Sequence, residues 1–278
     1  MLTIDLMGGL GNQLFQIFTL IAYSKKYNQK FLIEKKNSFP GSHVVRHGYW
    51  DSILEKLSDN LVSIPLKYQI VSEKGFEYND LQIPNSDVKL RGYFQSYKYF
   101  ETYRNEIINM LDLKTKTESV LQKMNIDTKN MVSLHFRVGD YIHLPNHHPI
   151  MTLKYYSNAI RFILNKDNDK QLSILYFCEN SDIEYVLKEF INPLCIEFPS
   201  LTFLKADGSK LEDWEQMLFM SCCKHNIIAN SSFSWWAAYF NDNSEKIICY
   251  PETWFGLQLS NHNTSDMCPK SWNKIKNI

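Results

Sequence analysis

Cys223-Lys224-His225-Asn226-Ile227-Ile228-Ala229-Asn230-Ser231-Ser232-Phe233-Ser234-Trp235-Trp236-Ala237-Ala238 reads as a buried strand, a tight polar turn and the start of a helix. Asn226 to Ala229 is the short apolar run of a parallel strand covered on both faces. Asn230, Ser231, Ser232 and Ser234 bring hydroxyls, an amide and backbone N–H groups to the helix start. Such a terminus attracts phosphate, because its donors lack intrahelical partners and its dipole end is positive. Upstream, Val132-Ser133-Leu134-His135-Phe136-Arg137-Val138-Gly139-Asp140 ends a second apolar strand in a histidine, an arginine and a carboxylate. Together the two stretches predict a protein that holds a nucleotide diphosphate and does chemistry beside it.

Around them the pattern alternates strand and helix. Strands are predicted at 2–7, 31–34, 88–95, 131–137, 173–178, 202–205, 226–229 and 246–250. Helices are predicted at 12–27, 50–57, 97–111, 153–164, 182–190, 211–223 and 233–241. Residues 37–49 and 68–85 read as loops. The composition turns polar and charged around 114–129, where a lobe boundary is placed, giving lobes 1–125 and 126–278. Strands separated by helices imply parallel pairing in an α/β fold, with ligands at the carboxyl ends of the strands. That rule gathers Arg137, Asp140, Glu179, Asp207 and Ser231 at one crevice.

The 278 residues suffice for two lobes, and 30 basic residues balance 30 acidic ones, which argues against a nucleic-acid partner. The six cysteines form no C-x-x-C pair, so neither a zinc knuckle nor a disulfide framework is expected. The N-terminus reads as a strand and no apolar run approaches the length of a membrane span; a cytoplasmic protein without a transmembrane segment is the expectation.

Gly8-Gly9-Leu10-Gly11-Asn12-Gln13 follows a strand and opens a helix. It fits a dinucleotide turn, with Glu34 as the ribose-binding acid, although Leu14 replaces the third glycine. It also fits a plain tight turn, or a turn that lets a ligand approach the backbone at Gly9 and Gly11 with Asn12 and Gln13 as amide contacts. The last reading is preferred, two adjacent amides being poor core residues. On the second strand His135 and Arg137 share a face. Arg137 can grip a pyrophosphate or form a structural ion pair with Asp140. His143, His147 and His148 cluster in a Pro-containing loop without metal-ligand spacing. Trp235 and Trp236, adjacent on a helix, face different ways; one is expected in the core and the other fits either a cleft wall or the core, core packing being the default.

The chain resembles the alpha-1,2-fucosyltransferases of glycosyltransferase family 11 from about Leu2 to Phe240. Five segments carry the resemblance in order: 8–16, 92–100, His135-Phe136-Arg137-Val138-Gly139-Asp140-Tyr141, 148–156 and Ile228-Ala229-Asn230-Ser231-Ser232-Phe233-Ser234-Trp235-Trp236. Val138 stands where that family usually has a second arginine. The resemblance implies a GT-B fold, two Rossmann-like lobes facing a cleft. It also implies a GDP-fucose donor bound mostly by the C-terminal lobe, a glycan acceptor, an inverting reaction and no metal or other cofactor. Arg137 is then the group that stabilises charge on the leaving phosphate, and Asp140 and His148 are both candidate general bases. His135, Asn230, Ser231, Ser232, Phe233 and Ser234 line the donor, and Glu179, Asp182 and Asp207 are candidates for guanine or ribose. Gly9, Gly11, Asn12 and Gln13 serve the acceptor or fucose. A nicotinamide-dependent oxidoreductase and a sugar-nucleotide-binding protein without turnover are the alternative classes.

Overall fold

The structure is a computed structural model that describes residues 1–36, 38–39, 45–63, 68–167 and 171–276. The chain divides into two compact units, Met1–Lys116 with His262–Pro269, and Thr117–Asn261 with Lys270–Ile278.

In the first unit β1 (Leu2–Ile4) opens a parallel three-stranded sheet. It pairs with β7 (Val88–Arg91), which pairs in turn with β6 (Gln69–Ser72). Strand β6 lies inside the stretch read as a loop; its residues Gln-Ile-Val-Ser are mostly exposed at a sheet edge and show no apolar run. Between β1 and β6 come α1 (Leu10–Lys26), β2 (Ile33–Glu34), β3 (Ser38–Phe39), β4 (Arg46–His47) and β5 (Leu61–Val62). Strands β3 and β4 pair antiparallel within the other predicted loop, part of which lies outside the described residues. The stretch 50–57 is not a regular helix; a 3₁₀ turn at Glu55–Asn60 takes its place.

Helix α1 is buried on every side, from Leu10 to Ser24 with Asn12 half-exposed. Its glutamines therefore act as internal ties. Gln16 accepts from the Met7 N–H at 2.9 Å and donates to the Gly92 carbonyl at 3.1 Å. Gly8 sits at φ +75°, and a Cβ there would lie 2.5 Å from the Asn12 amide nitrogen. Gly8→Ala is expected to destabilise the first unit by about 1–3 kcal/mol from the backbone alone. An unchanged urea midpoint for that variant would show that the turn relaxes without strain.

The predicted helix 97–111 is broken. Two 3₁₀ turns (Tyr97–Tyr99, Glu101–Tyr103) precede α2 (Arg104–Met110), because Phe100 at φ −138°, ψ −1° interrupts the helical path. Phe100 and Ile107 are fully buried, whereas Met110 is 38% exposed. The charged stretch read as a boundary contains α3 (Leu113–Met124), whose buried Leu113, Val120 and Met124 lie on one face.

The second unit holds β8 (Met131–His135), α4 (Leu153–Lys166), β9 (Ser173–Phe177), α5 (Ile183–Val186), α6 (Asn192–Glu197), β10 (Thr202–Lys205), α7 (Asp213–Ser221), β11 (His225–Ile227), α8 (Ser232–Phe240), β12 (Ile248–Pro251) and β13 (Asn273–Ile275). All six strands pair in parallel in the order β10-β9-β8-β11-β12-β13. This is the doubly wound, Rossmann-like order, and it reverses direction between β8 and β11. The strand β13 has no predicted counterpart. A π segment, Leu187–Ile191, joins α5 to α6, and Pro193 falls in the first turn of α6, where a missing N–H is tolerated. Trp235 and Trp236 are both fully buried, so neither lines a cleft. Helix α8 is covered all round, Trp235 stacking on Tyr239 at 4.8 Å and meeting Trp272 at 5.4 Å.

Candidate active site

Register places the chemistry. Ile227 lies opposite Leu134, so His135–Arg137 leave the sheet level with Ile228–Asn230. On the other side His135 lies opposite Phe177, which puts Arg137 level with Glu179. The Phe136 N–H donates to the Phe177 carbonyl at 2.8 Å and carries the ladder one residue past β8. Three strand ends thus converge at the point where the sheet order reverses, the place where α/β sheets bind ligands.

Arg137 is the centre of the cluster. Its guanidinium bonds to Asp140 through one nitrogen and to Glu179 through the other. Its face lies over the Tyr141 ring at 5.0 Å. Burial opposes its charge, but Tyr141, Asp140 and Glu179 together outweigh that and raise its pKa. The Arg137 side chain is 20% exposed, against 39% for Asp140 and 57% for Glu179. Both carboxylates are thus more open to water than the cation they hold.

The turn after Arg137 is fixed from the neighbouring strand end. Gly139, at φ +37°, donates its N–H to the buried Asp182 carboxylate at 2.9 Å. Asp182 is therefore an internal anchor of this turn. Tyr141 stacks on His148 at 4.9 Å and 20°, and donates its hydroxyl to the Asn230 carbonyl at 3.2 Å. His148 also meets Phe255 at 5.7 Å. Burial first, then His147 and Arg137, lower the His148 pKa against the opposing pull of Asp140.

His135 points its ring against Phe233, 5.6 Å between centroids. Burial and the nearby Arg137 push its pKa down to about 3, so the imidazole is neutral at physiological pH. Its Nδ1 is buried without a hydrogen-bond partner. A buried nitrogen left unsatisfied costs about 1–3 kcal/mol.

Ser231 caps α8, its hydroxyl accepting from the Phe233 N–H at 3.3 Å. Asn230 is buried; its Nδ2 ties Pro149 and Trp254 carbonyls at 2.9 and 3.0 Å, and its Oδ1 has no partner. Ser234 is fully buried and its hydroxyl faces the carbonyls of Ala229 and Ser231, at 3.5 and 3.3 Å. It shapes the turn from within, while Ser232 and Phe233 are half-exposed at the terminus. Asp207 lies at the carboxyl end of the edge strand β10, its carboxylate bonded to the N–H and hydroxyl of Ser209 at 3.1 and 2.6 Å. No hydrogen bond or ion pair joins it to the Arg137 cluster among the described residues.

In the first unit, Gly9 is the N-cap of α1 and Gly11 is buried in its first turn. The Asn12 Oδ1 accepts from Gln95 at 2.8 Å. Gln13 is fully buried and donates to the Gly8 and His47 carbonyls at 3.0 and 2.9 Å. A buried amide is stable here because it ties two turns together, a role its sequence position does not reveal. Glu34, the ribose acid of a dinucleotide reading, pairs instead with Lys89 at 2.9 Å. Tyr141 and Phe255 gained no role from sequence; only the fold stacks them around His148.

The sequence profile of Glycosyl transferase family 11 matches residues 1–276. The chain belongs to glycosyltransferase family 11. It is 26% identical over 311 residues to the O-antigen biosynthesis glycosyltransferase WbnK of Escherichia coli, covering 96% of this chain and 98% of that protein. It is 27% identical over 300 residues to an alpha-1,2-colitosyltransferase of the same organism, covering 98% and 97%. Against human galactoside alpha-(1,2)-fucosyltransferase 1 it is 23% identical over 248 residues, covering 84% and 63%. Membership of family 11 makes the chain a glycosyltransferase and sets aside the oxidoreductase suggested by the first glycine turn. Among the described residues no helix is long and apolar enough to cross a membrane.

Proposed function

We propose that this glycosyltransferase moves L-fucose from GDP-fucose to a glycan, onto the 2-hydroxyl of a galactoside, with inversion and without a metal ion. The observation that carries the reading is Arg137 at the reversal of the sheet order, beside the serine-capped start of α8 and the unsatisfied His135 nitrogen. Relatives named galactoside fucosyltransferases and an alpha-1,2-colitosyltransferase support the linkage and the donor type. The GT-B assignment belongs to the same proposal, supported by a parallel sheet in each unit. In it the second unit binds GDP-fucose and the first serves the acceptor through Gly9, Gly11 and Asn12. A cytoplasmic setting is supported by the free state of all six cysteines.

The acceptor oxygen attacks the anomeric carbon as its bond to the β-phosphate oxygen breaks. That bond's electron pair leaves with GDP, and the hydroxyl proton passes to a base. Arg137 and the Ser232 N–H at the start of α8 take the negative charge growing on the phosphate. Glu179 is the candidate for the ribose or guanine. Asp207 reaches the nucleoside only by giving up Ser209, and Asp182 acts through Gly139.

The two base candidates differ in their surroundings. Asp140 is held by Arg137, whereas burial lowers the His148 pKa. With His148 as base, the acid limb of kcat/KM against pH falls below the ordinary histidine range, and His148→Ala removes that limb. An unchanged limb in that variant assigns the proton to Asp140.

Incubation with labelled GDP-fucose and a panel of galactosides tests the whole reading, the expected product being alpha-linked by NMR. Calorimetry is expected to show GDP binding and no NAD(P) binding; absence of heat with GDP defeats the donor assignment. The colitosyltransferase relative favours one variant reading. Transfer from a GDP-colitose donor, with none from GDP-fucose, would move the donor assignment to that sugar.

A further inference from the structure

Asn230 lies in the turn between β11 and α8, yet it is only 2% exposed. Its side-chain nitrogen makes two donor bonds, both inward, to the carbonyls of Pro149 and Trp254. Its own carbonyl accepts from the Tyr141 hydroxyl. Pro149 lies in the loop after β8 and Trp254 in the loop after β12, so one residue ties the loops at the ends of three neighbouring strands.

Each tie falls on, or next to, a ring of one stack. Tyr141 is bonded directly, Pro149 follows His148, and Trp254 precedes Phe255. His148 packs against both rings, at 4.9 Å and 20° from Tyr141 and at 5.7 Å and 54° from Phe255. The Tyr141 ring also carries the Arg137 guanidinium at 5.0 Å. The same loops are joined a second time. Gly256 and Gln258 donate their N–H groups to the His147 and Asn146 carbonyls at 2.8 and 2.9 Å. A Cβ on Gly256 would collide with the Asn146 carbonyl group, although its φ −77°, ψ −178° suits any residue. Close approach of the two loops is what requires glycine there.

We propose that Asn230 and Gly256 are positioning residues that hold the His148 imidazole beside Arg137 by closing the Tyr141–His148–Phe255 stack. A ring locked by tertiary contacts keeps one orientation toward a reacting hydroxyl, and losing that orientation costs rate. Asn230 then supports the binding turn from within, where its place in the motif suggests a donor contact. The effect on turnover rests on the fucosyl-transfer reading with His148 as base; the effect on the imidazole does not.

His148 reports its own surroundings. Burial is the largest cause of its lowered pKa; His147 and Arg137 add to it and Asp140 opposes it. Opening the stack admits water and moves the pKa up toward the ordinary histidine range. The test follows the His148 ring protons by NMR against pH in the full chain, the signal being assigned by its loss in His148→Ala. Asn230→Ala and Gly256→Ala are each expected to raise the His148 pKa and to lower kcat by about tenfold or more, while GDP still binds. Asn241→Ala is the control. Asn241 is buried at the other end of α8, its amide nitrogen on the Cys223 carbonyl and the Asn226 Oδ1 at 2.8 Å each. Its loss is expected to lower the urea midpoint and leave the His148 titration unchanged. Should Asn230→Ala fail to fold, Gly256→Ala carries the test, since it removes no hydrogen-bonding group. A His148 titration unchanged in Gly256→Ala, or moved as far by Asn241→Ala, overturns the assignment. A raised pKa with an unmoved acid limb of kcat/KM keeps the positioning and moves the base to Asp140, so the two failures are told apart.

Discussion

Arg137→Ala is expected to lower kcat/KM by ~10²–10³, equivalent to about 3–4 kcal/mol of transition-state stabilisation. The cause is local. Arg137 is the cation between Asp140 and Glu179 at the reversal point of the sheet, and in the proposed mechanism it bears on the leaving phosphate. Without it two carboxylates remain in an anion site, so GDP affinity falls together with turnover. The fold survives, because both partners are well exposed and such pairs contribute about 0–1 kcal/mol. Arg137→Lys keeps the charge but loses the planar fork and the stacking on Tyr141, and is expected to recover only part of the rate. The measurements are steady-state kinetics with a melting curve as control. Parent-like turnover in Arg137→Ala removes the residue from the mechanism.

Trp235→Ala is expected to produce the largest loss of stability, about 3–5 kcal/mol for truncating a fully buried tryptophan. Trp235 is packed between Trp236, Tyr239 and Trp272, at 5.1, 4.8 and 5.4 Å between ring centroids. A domain is stable by only about 5–15 kcal/mol, so this single change removes much of the margin of the second unit. Ser231→Ala, on the same helix, loses one cap worth about 1 kcal/mol. Urea unfolding of the second unit checks the ranking. Below the transition GDP binding persists if the role is packing. A variant with an unchanged midpoint and no GDP binding would instead make Trp235 a ligand contact.

Local patterns carried much of this into the sequence. The apolar run ending at Ala229, the serines behind it and the largely apolar α8 were legible because a covered strand and a helix start have short-range signatures. The strand at Thr202–Lys205 matches its predicted limits. Other elements escaped for identifiable reasons. Helix α3 hides Leu113, Val120 and Met124 among charged residues that belong to its solvated face. Strands β6 and β13 are short edge strands whose polar residues meet water.

Side-chain roles were harder to read than elements. Gln13 resembles a ligand contact until the fold buries it against Gly8 and His47. Asp182 resembles a nucleoside contact until the Gly139 N–H is found on it. A polar residue in a binding motif has two uses, contact and support. Only its burial and partners separate them.

The sequence by itself determined the alternation of elements and the supply of a guanidinium, imidazoles and a serine-rich helix start, because periodicity and capping act over a few residues. The tertiary structure decided which strands are neighbours, that Arg137 meets Glu179 from 42 positions away, and that His135 is left with an unsatisfied nitrogen. Those outcomes depend on pairing across long stretches of chain, where register and burial choose the partners and no local signal names them.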